Sequence, residues 1–255
     1  MTSRHDRVMV DGIAGLVARM TADLEWLQAA GDTRRFFHAT YLRTTRAVAE
    51  EIERGGFADG AWLERWDLAF AGFYLDALAA DLAGAPVSRP WRVAFDTARD
   101  RTDLPPLRHV LLGMNAHINY DLPQALLAVI SPAEFDDPGV RERRLADHRH
   151  IDEVLADRVG AEDAELAAAG WRSLLDRLLA PVNRAATRRF LAEARAKVWR
   201  NTAVLDRSRR AGQPRYDAAL ADLAELSAAR LVDLTQPGQV LLKLTRRGFG
   251  VVLPR

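Results

Sequence analysis

Apolar residues recur at spacings of three and four along nearly the whole chain, and glycine, proline or a capping residue interrupts them at intervals. This periodicity constrains the fold most, because it matches the turn of an α-helix and not the two-residue alternation of a strand. Ile13, Leu16, Val17, Met20, Leu24 and Leu27 mark one face of a helix over 8–30. Gly31 then reads as its stop and Asp32 as the cap of the next helix, which carries Phe36, Phe37, Tyr41, Leu42, Val48 and Ile52. That second helix ends at Gly55-Gly56, and Asp59 caps a third over 62 to about 82, closed by Gly84-Ala85-Pro86.

A short helix over 90–99 follows. Pro105-Pro106 opens an apolar stretch over 107–130, which Pro123 should break or kink, since proline lacks the amide donor and crowds the preceding turn. Ser131-Pro132 and Asp137-Pro138 each read as a cap followed by proline at the first helical position. The second of these leads a helix to about residue 159, with further helices near 162–179, 182–210 and 215–234. The last residues differ: 239–244 and 250–253 flank 245–249 in the pattern of a short β-hairpin within 237–255. Long helices with short, capped connections predict an all-α single-domain bundle of about eight helices over 1–255.

Composition supports a core of that kind, with 49% of the 255 residues hydrophobic. There are 36 basic and 35 acidic side chains, a net charge of +1, so no global field attracts nucleic acid. No apolar run approaches the ~20 residues of a membrane helix, and no export leader is expected. The chain has no cysteine, which excludes disulfides, thiol catalysis and zinc–cysteine sites and fits the expected cytoplasmic location. Arg195, Lys197, Arg200, Arg207, Arg209 and Arg210 interleave with Glu193 and Asp206 and read as a solvated helix face.

Dinucleotide, Walker, nucleophile-elbow and zinc-protease signatures are absent from the sequence. The segment that invites chemistry is 109–123. On a helix, Leu107, Leu111, Met114, Ile118 and Leu122 form its buried stripe, with His117 and Asp121 one turn apart on one flank and Asn115 and Asn119 on the other. Four polar groups beside an apolar stripe are costly unless each finds a partner. A histidine and a carboxylate at this spacing can ligate one metal ion, or the carboxylate can orient the imidazole for acid–base work. They can also form a buried structural network. His148 and Asp152 repeat the spacing and are weaker candidate ligands, although the charged run 147–153 reads more simply as a surface. Tyr120 and Tyr74 are candidate ligand contacts. Asp67 reads as a surface residue near a helix start, and His38 and Tyr41 as core or rim.

The run Asn115-Ala116-His117-Ile118-Asn119-Tyr120-Asp121-Leu122-Pro123 resembles the central motif of an uncharacterised actinobacterial family of unknown function. The resemblance extends to Tyr41-Leu42-Arg43-Thr44-Thr45, to 66–78, to Ile151-Asp152-Glu153-Val154-Leu155, and to Ala194-Arg195 with Trp199. It implies one helical domain and brings no activity. At fragment level, His117, Asp121 and Pro123 are also similar to the His-x-x-x-Asp helix of zinc-dependent phospholipase C and P1-type nucleases, which implies a zinc site. The chain departs from that class in lacking a clear His-x-x-x-Glu.

Two functions follow as expectations. One is a metal-assisted hydrolase or lyase on a small or lipid-like substrate, with zinc, iron or manganese on His117 and Asp121 activating a water. The other is a non-catalytic helical protein that binds a hydrophobic ligand or a partner helix, for which the aromatic residues of 62–78 would serve. A homodimer is a third option.

Overall fold

The computed structural model describes residues 12–168, 174–236 and 248–254, with backbone alone at 152, 155–168 and 174–191. The regular structure among the described residues is helical: α1 (Gly12–Ala29), α2 (Arg35–Glu53), α3 (Gly60–Leu82), α4 (Arg89–Asp100), α5 (Pro106–Ala116), a π-helical turn (His117–Asp121), α6 (Leu122–Val129), α7 (Pro132–Asp136), α8 (Pro138–Ala168), α9 (Leu174–Arg210) and α10 (Gln213–Thr235). The chain is thus an all-α bundle, as its periodicity predicts. No described helix is long and apolar enough to cross a membrane.

Most helix ends have the expected local cause. Gly31 takes φ +66°, a left-handed conformation open to glycine, and the amides of Gly31 and Asp32 bond back to the carbonyls of Gln28 and Leu27. Asp59 accepts the Trp62 amide at 2.9 Å, and Ser131 with Glu134 forms a reciprocal capping box. Asp137 accepts the amides of Gly139 and Val140. Asp32 caps the turn before α2: its carboxylate accepts the Arg34 amide at 2.8 Å and holds the Arg34 side chain, while α2 itself starts without a side-chain cap. α8 continues past 159 to Ala168, and α9 passes through Pro181 without the expected interruption.

Helix α3 stands between two apolar clusters. One gathers Met20, Leu42, Leu78, Trp91, Leu112 and Leu231 from α1, α2, α3, α4, α5 and α10. The other gathers Trp62, Trp66, Phe70, Leu126, Ile151 and Val198 from α3, α6, α8 and α9. Trp62, Trp66 and Phe70, each four residues apart, stack along α3 at centroid distances of 6.5 and 5.4 Å. Burying each such ring contributes roughly 1.5–3 kcal/mol, which makes this column a main source of the bundle's stability.

The expected hairpin is corrected in the part that is described. Residues 237–247 lie outside the described residues, and 248–254 form no strand. This segment instead buries Val251 and Leu253 in the cluster of Leu205 and Leu223, and Phe249 in the core cluster that holds Leu231 and Leu234. Its period of two reflects an extended backbone, and among the described residues helix side chains donate to its carbonyls and accept from its amides.

Candidate functional site

Pro123 shapes the site. Without an amide it cannot bond the carbonyl of Asn119, and its ring crowds that carbonyl. The helix responds by widening: the Leu122 amide bonds the His117 carbonyl five residues back, and a π turn carries His117–Asp121. The turn sends His117, Asn119 and Asp121 all inward, with exposures of 3%, 1% and 1%. Gly113 lies one turn earlier. A Cβ there would stand 2.2 Å from the Phe37 ring, so only glycine lets that ring close over the helix beside His117.

His117 Nδ1 and Asp121 Oδ2 are 2.9 Å apart. Trp91, from α4, donates its indole N–H to the same carboxyl oxygen at 2.9 Å. Phe70 lies flat on the imidazole with centroids 3.6 Å apart, and Tyr41 stands edge-on at 4.5 Å. The ring is therefore fixed in orientation by one hydrogen bond and two aromatic contacts. Its other nitrogen, Nε2, is buried without a partner.

Burial pushes the Asp121 carboxyl well above its usual range, a shift that the Trp91 hydrogen bond only opposes. Burial likewise holds His117 well below the ordinary histidine value. Neither group favours a charge alone, so the pair is best held neutral with a proton between Oδ2 and Nδ1. In that neutral pair Nε2 carries the second hydrogen and acts as a donor. Loss of one proton from the pair turns Nε2 into a base.

His117 lines a cavity of about 100 Å³ between α2, α3, α5, the π turn, α6, α8 and α9. Its wall is largely apolar, from Phe37, Trp66, Phe70, Leu122 and Ile151. Three polar groups in the lining are buried without partners: the Tyr41 hydroxyl, Asp67 Oδ2 and His117 Nε2. Native interiors rarely leave such groups unsatisfied, and orphans gathered on one cavity mark a place for a ligand or water. Burial raises Asp67 to about 7 and pushes Tyr41 well above its usual range. Half-buried Thr40, Thr44 and Arg195 complete the lining, and Arg195 also donates to the His148 carbonyl at 2.7 Å.

The remaining sequence candidates go elsewhere. Asn115 and Asn119 both donate to the Phe249 carbonyl, and Asn119 also accepts the Val251 amide. They hold 248–254 instead of facing the cavity. Tyr120 is half-buried beside Leu127 and Tyr216, and burial raises its hydroxyl to about 12. Tyr74 bonds His38 Nδ1 at 2.9 Å, while His38 Nε2 donates to the Met20 carbonyl at 2.8 Å. Tyr74 lines only a smaller second cavity.

His148 does not join His117. It is fully buried, with Trp66 and Trp199 edge-on to its ring, and Trp199 donates to its Nδ1 at 2.9 Å. The surface reading of 147–153 therefore fails at its start: Asp147 is buried too, accepting the Ala58 and Asp59 amides. The Asp152 side chain lies outside the described residues. Among the described residues no three His, Asp or Glu side chains are placed to hold a metal ion. Asp121 is engaged by His117 and Trp91, so the pair does not present two free ligand arms.

Sequence reasoning missed Asp67 and Tyr41 as site residues. The available signal was their place beside Trp66 and Leu42 on helix faces that are otherwise apolar. Segments 41–45, 66–78, 151–155 and 194–195, which carry the family resemblance, supply most of the cavity wall.

The fold and site define a helical-bundle protein with a buried histidine–carboxyl pair on an apolar cavity. The profile of a family of unknown function, DUF5995, matches residues 13–237, and the chain belongs to that family. No curated protein and no solved structure matches the chain.

Proposed function

We propose that this protein binds a small, largely apolar or lipid-like molecule carrying an oxygen function in the His117 cavity, and that His117 transfers a proton to or from it. The reaction class is lyase-like or hydrolytic proton transfer, with Asp121 orienting His117 and setting its proton inventory. One observation carries the reading: an imidazole nitrogen with no partner lines an apolar cavity, while its other nitrogen is held by a buried carboxyl. Asp67 and Tyr41 are the further groups able to bond the ligand's oxygen. A divalent ion is not needed for this reading. If one is bound, His117 Nε2 is the imidazole nitrogen in the pair left to take it, with Asp121 behind the ring.

The test is ligand-dependent thermal stabilisation with small aldehydes, ketones, alcohols and the matching hydrocarbons, in wild type and His117→Leu. Oxygenated ligands should raise the wild-type midpoint and lose at least tenfold in affinity in the variant, while hydrocarbons bind both alike. The reading fails if oxygenated and hydrocarbon ligands behave identically in both proteins, or if none of them binds. Elemental analysis of the same samples checks the metal: an ion lost in His117→Leu would replace proton transfer by metal-assisted chemistry at the same nitrogen.

A further inference from the structure

A second site is built on the same π turn, facing away from the cavity. Segment 248–254 lies extended among α9, α10 and the π turn, and every carbonyl from Gly248 to Val251, with the amides of Phe249, Gly250, Val251 and Leu253, meets a helix side chain. Asn119 donates to the carbonyl of Phe249 at 3.1 Å and accepts the amide of Val251 at 3.1 Å. Asn201 repeats the bracket one step on, donating to the Val251 carbonyl at 3.0 Å and accepting the Leu253 amide at 2.9 Å. Arg230 reaches the Gly248 carbonyl at 2.6 Å, and Lys197 the Gly250 carbonyl at 3.0 Å. Glu193 accepts the amides of Phe249 and Gly250 at 3.3 and 3.4 Å.

Side-chain amides that bracket successive peptide units do what a neighbouring strand does, and they recognise backbone whatever its sequence. Sequence is read by shape. Phe249, Val251 and Leu253 point into apolar pockets and are at most 6% exposed. A Cβ at Gly250 would stand 2.6 Å from the Lys197 side chain, and one at Gly248, where φ is +73°, 2.7 Å from Glu193. The groove thus takes Gly-Φ-Gly-Φ-x-Φ, where Φ is apolar.

Asn119 lies between His117 and Asp121 in a five-residue turn. Whatever fixes its amide also fixes the geometry of the pair. The family match spans Asn115, Asn119, Asn201 and Arg230 but stops at 237, so the groove's own side chains fall within it and the bound segment does not.

We propose that this groove is a peptide-binding site for an extended Gly-Φ-Gly-Φ-x-Φ segment, that residues 248–254 are its exchangeable occupant, and that occupancy holds the π turn in the form that pairs His117 with Asp121. The groove rests on its own contacts, and only the consequence for ligand binding rests on the function proposed above.

The experiment uses the full chain with a protease site placed within 237–247. After cleavage the released segment should stay bound through gel filtration. It should exchange with a fluorescent peptide of sequence Gly-Phe-Gly-Val-Val-Leu-Pro, and unlabelled peptide should compete. A peptide with serine at the three apolar positions should compete at least a hundredfold more weakly, and the double change Asn119→Ala/Asn201→Ala should weaken binding at least tenfold. Loss of fold on cleavage, failure to exchange, or equal competition by the serine peptide overturns the groove.

Coupling is read without any cavity ligand, from the indole N–H resonance of Trp91 and the ring resonances of His117 in uncleaved protein. Val251→Asp, or Val251→Ala if the first does not fold, should shift and broaden these signals while helix content holds. Unchanged signals overturn the coupling. Both results are independent of whether the cavity binds oxygenated ligands.

Discussion

Asp67 shows at the scale of one residue how burial changes a side chain's meaning. Its carboxyl sits in the cavity wall with one oxygen unpartnered, and burial raises it from 3.8 to about 7. The folded chain therefore keeps a proton that the unfolded chain releases between about pH 4 and pH 7. Stability from this proton is full below the unfolded value and lost as pH rises through about 7. Raising the carboxyl from 3.8 to about 7 corresponds to about 4 kcal/mol. Urea unfolding of wild type and Asp67→Asn across that range should show wild type losing about 4 kcal/mol relative to the variant. Parallel pH profiles would mean that Asp67 is solvated in the folded protein. In the sequence, Asp67 reads as a surface residue near a helix start, but it stands seven residues past Gly60, beyond the first turn where the dipole favours a carboxylate. Nothing in the chain near it reveals that α2, α8 and α9 close over it.

The π turn is the decisive element. Helix ends at Gly31, Gly55 and Gly84, and the caps at Asp59, Ser131 and Asp137, were legible because each depends on residues within one turn of itself. Proline at 123 was equally legible as a disturbance. Its outcome was not, because a projection at 100° per residue assumes the very α geometry that proline removes. Pro123→Ala restores an amide and relieves the crowding, so the turn should relax toward regular α-helix. That rotation conflicts with the packing of α6 on α3 and should cost about 1–3 kcal/mol. It should also part Asp121 from Trp91, moving the Trp91 indole N–H resonance upfield and speeding its exchange with solvent. An unchanged resonance would show that the turn is set by packing alone.

At the scale of the whole molecule, polar side chains bind distant elements together. Asp147 on α8 accepts the amides of Ala58 and Asp59 at 2.8 and 3.1 Å, Arg144 donates to Asp59 at 2.6 Å, and Arg144 lies over Trp62 at 4.5 Å. The tie anchors α8 to the start of α3, against which the second core cluster is built. Asp147→Ala removes two hydrogen bonds to a charged acceptor and should cost about 2 kcal/mol, or about 4–8 °C in melting midpoint for a chain of this size. A change within about 0.5 kcal/mol would mean that water replaces the carboxylate at no loss. Arg209 and Arg210 act similarly, reaching carbonyls at Leu127, Ile130 and Pro132; with Arg195 on the His148 carbonyl and Lys197 on the Gly250 carbonyl, four members of the expected solvated basic face are structural.

The stripe expected over 107–122 failed: Leu107 is 51% exposed, and α5 instead buries His109, Leu112, Gly113, Asn115 and Ala116. Sequence alone determined the helical class, most helix limits, the apolar stripes of α1 and α2, and the choice of His117 and Asp121 as the polar pair to examine. These follow from periodicity and capping, which are local and written in consecutive residues. Tertiary structure decided what each polar group faces. Asp121 meets Trp91 across 30 residues, Asn119 meets Phe249 across 130, and Asp147 meets Ala58 across 89. A buried polar side chain is tolerable only where its partner arrives, and the arrival depends on how the helices pack. The same helical spacing therefore yields a cavity-facing imidazole at His117, a ring at His148 that is bonded by Trp199 at Nδ1 and buried without a partner at Nε2, and a backbone bracket at Asn119.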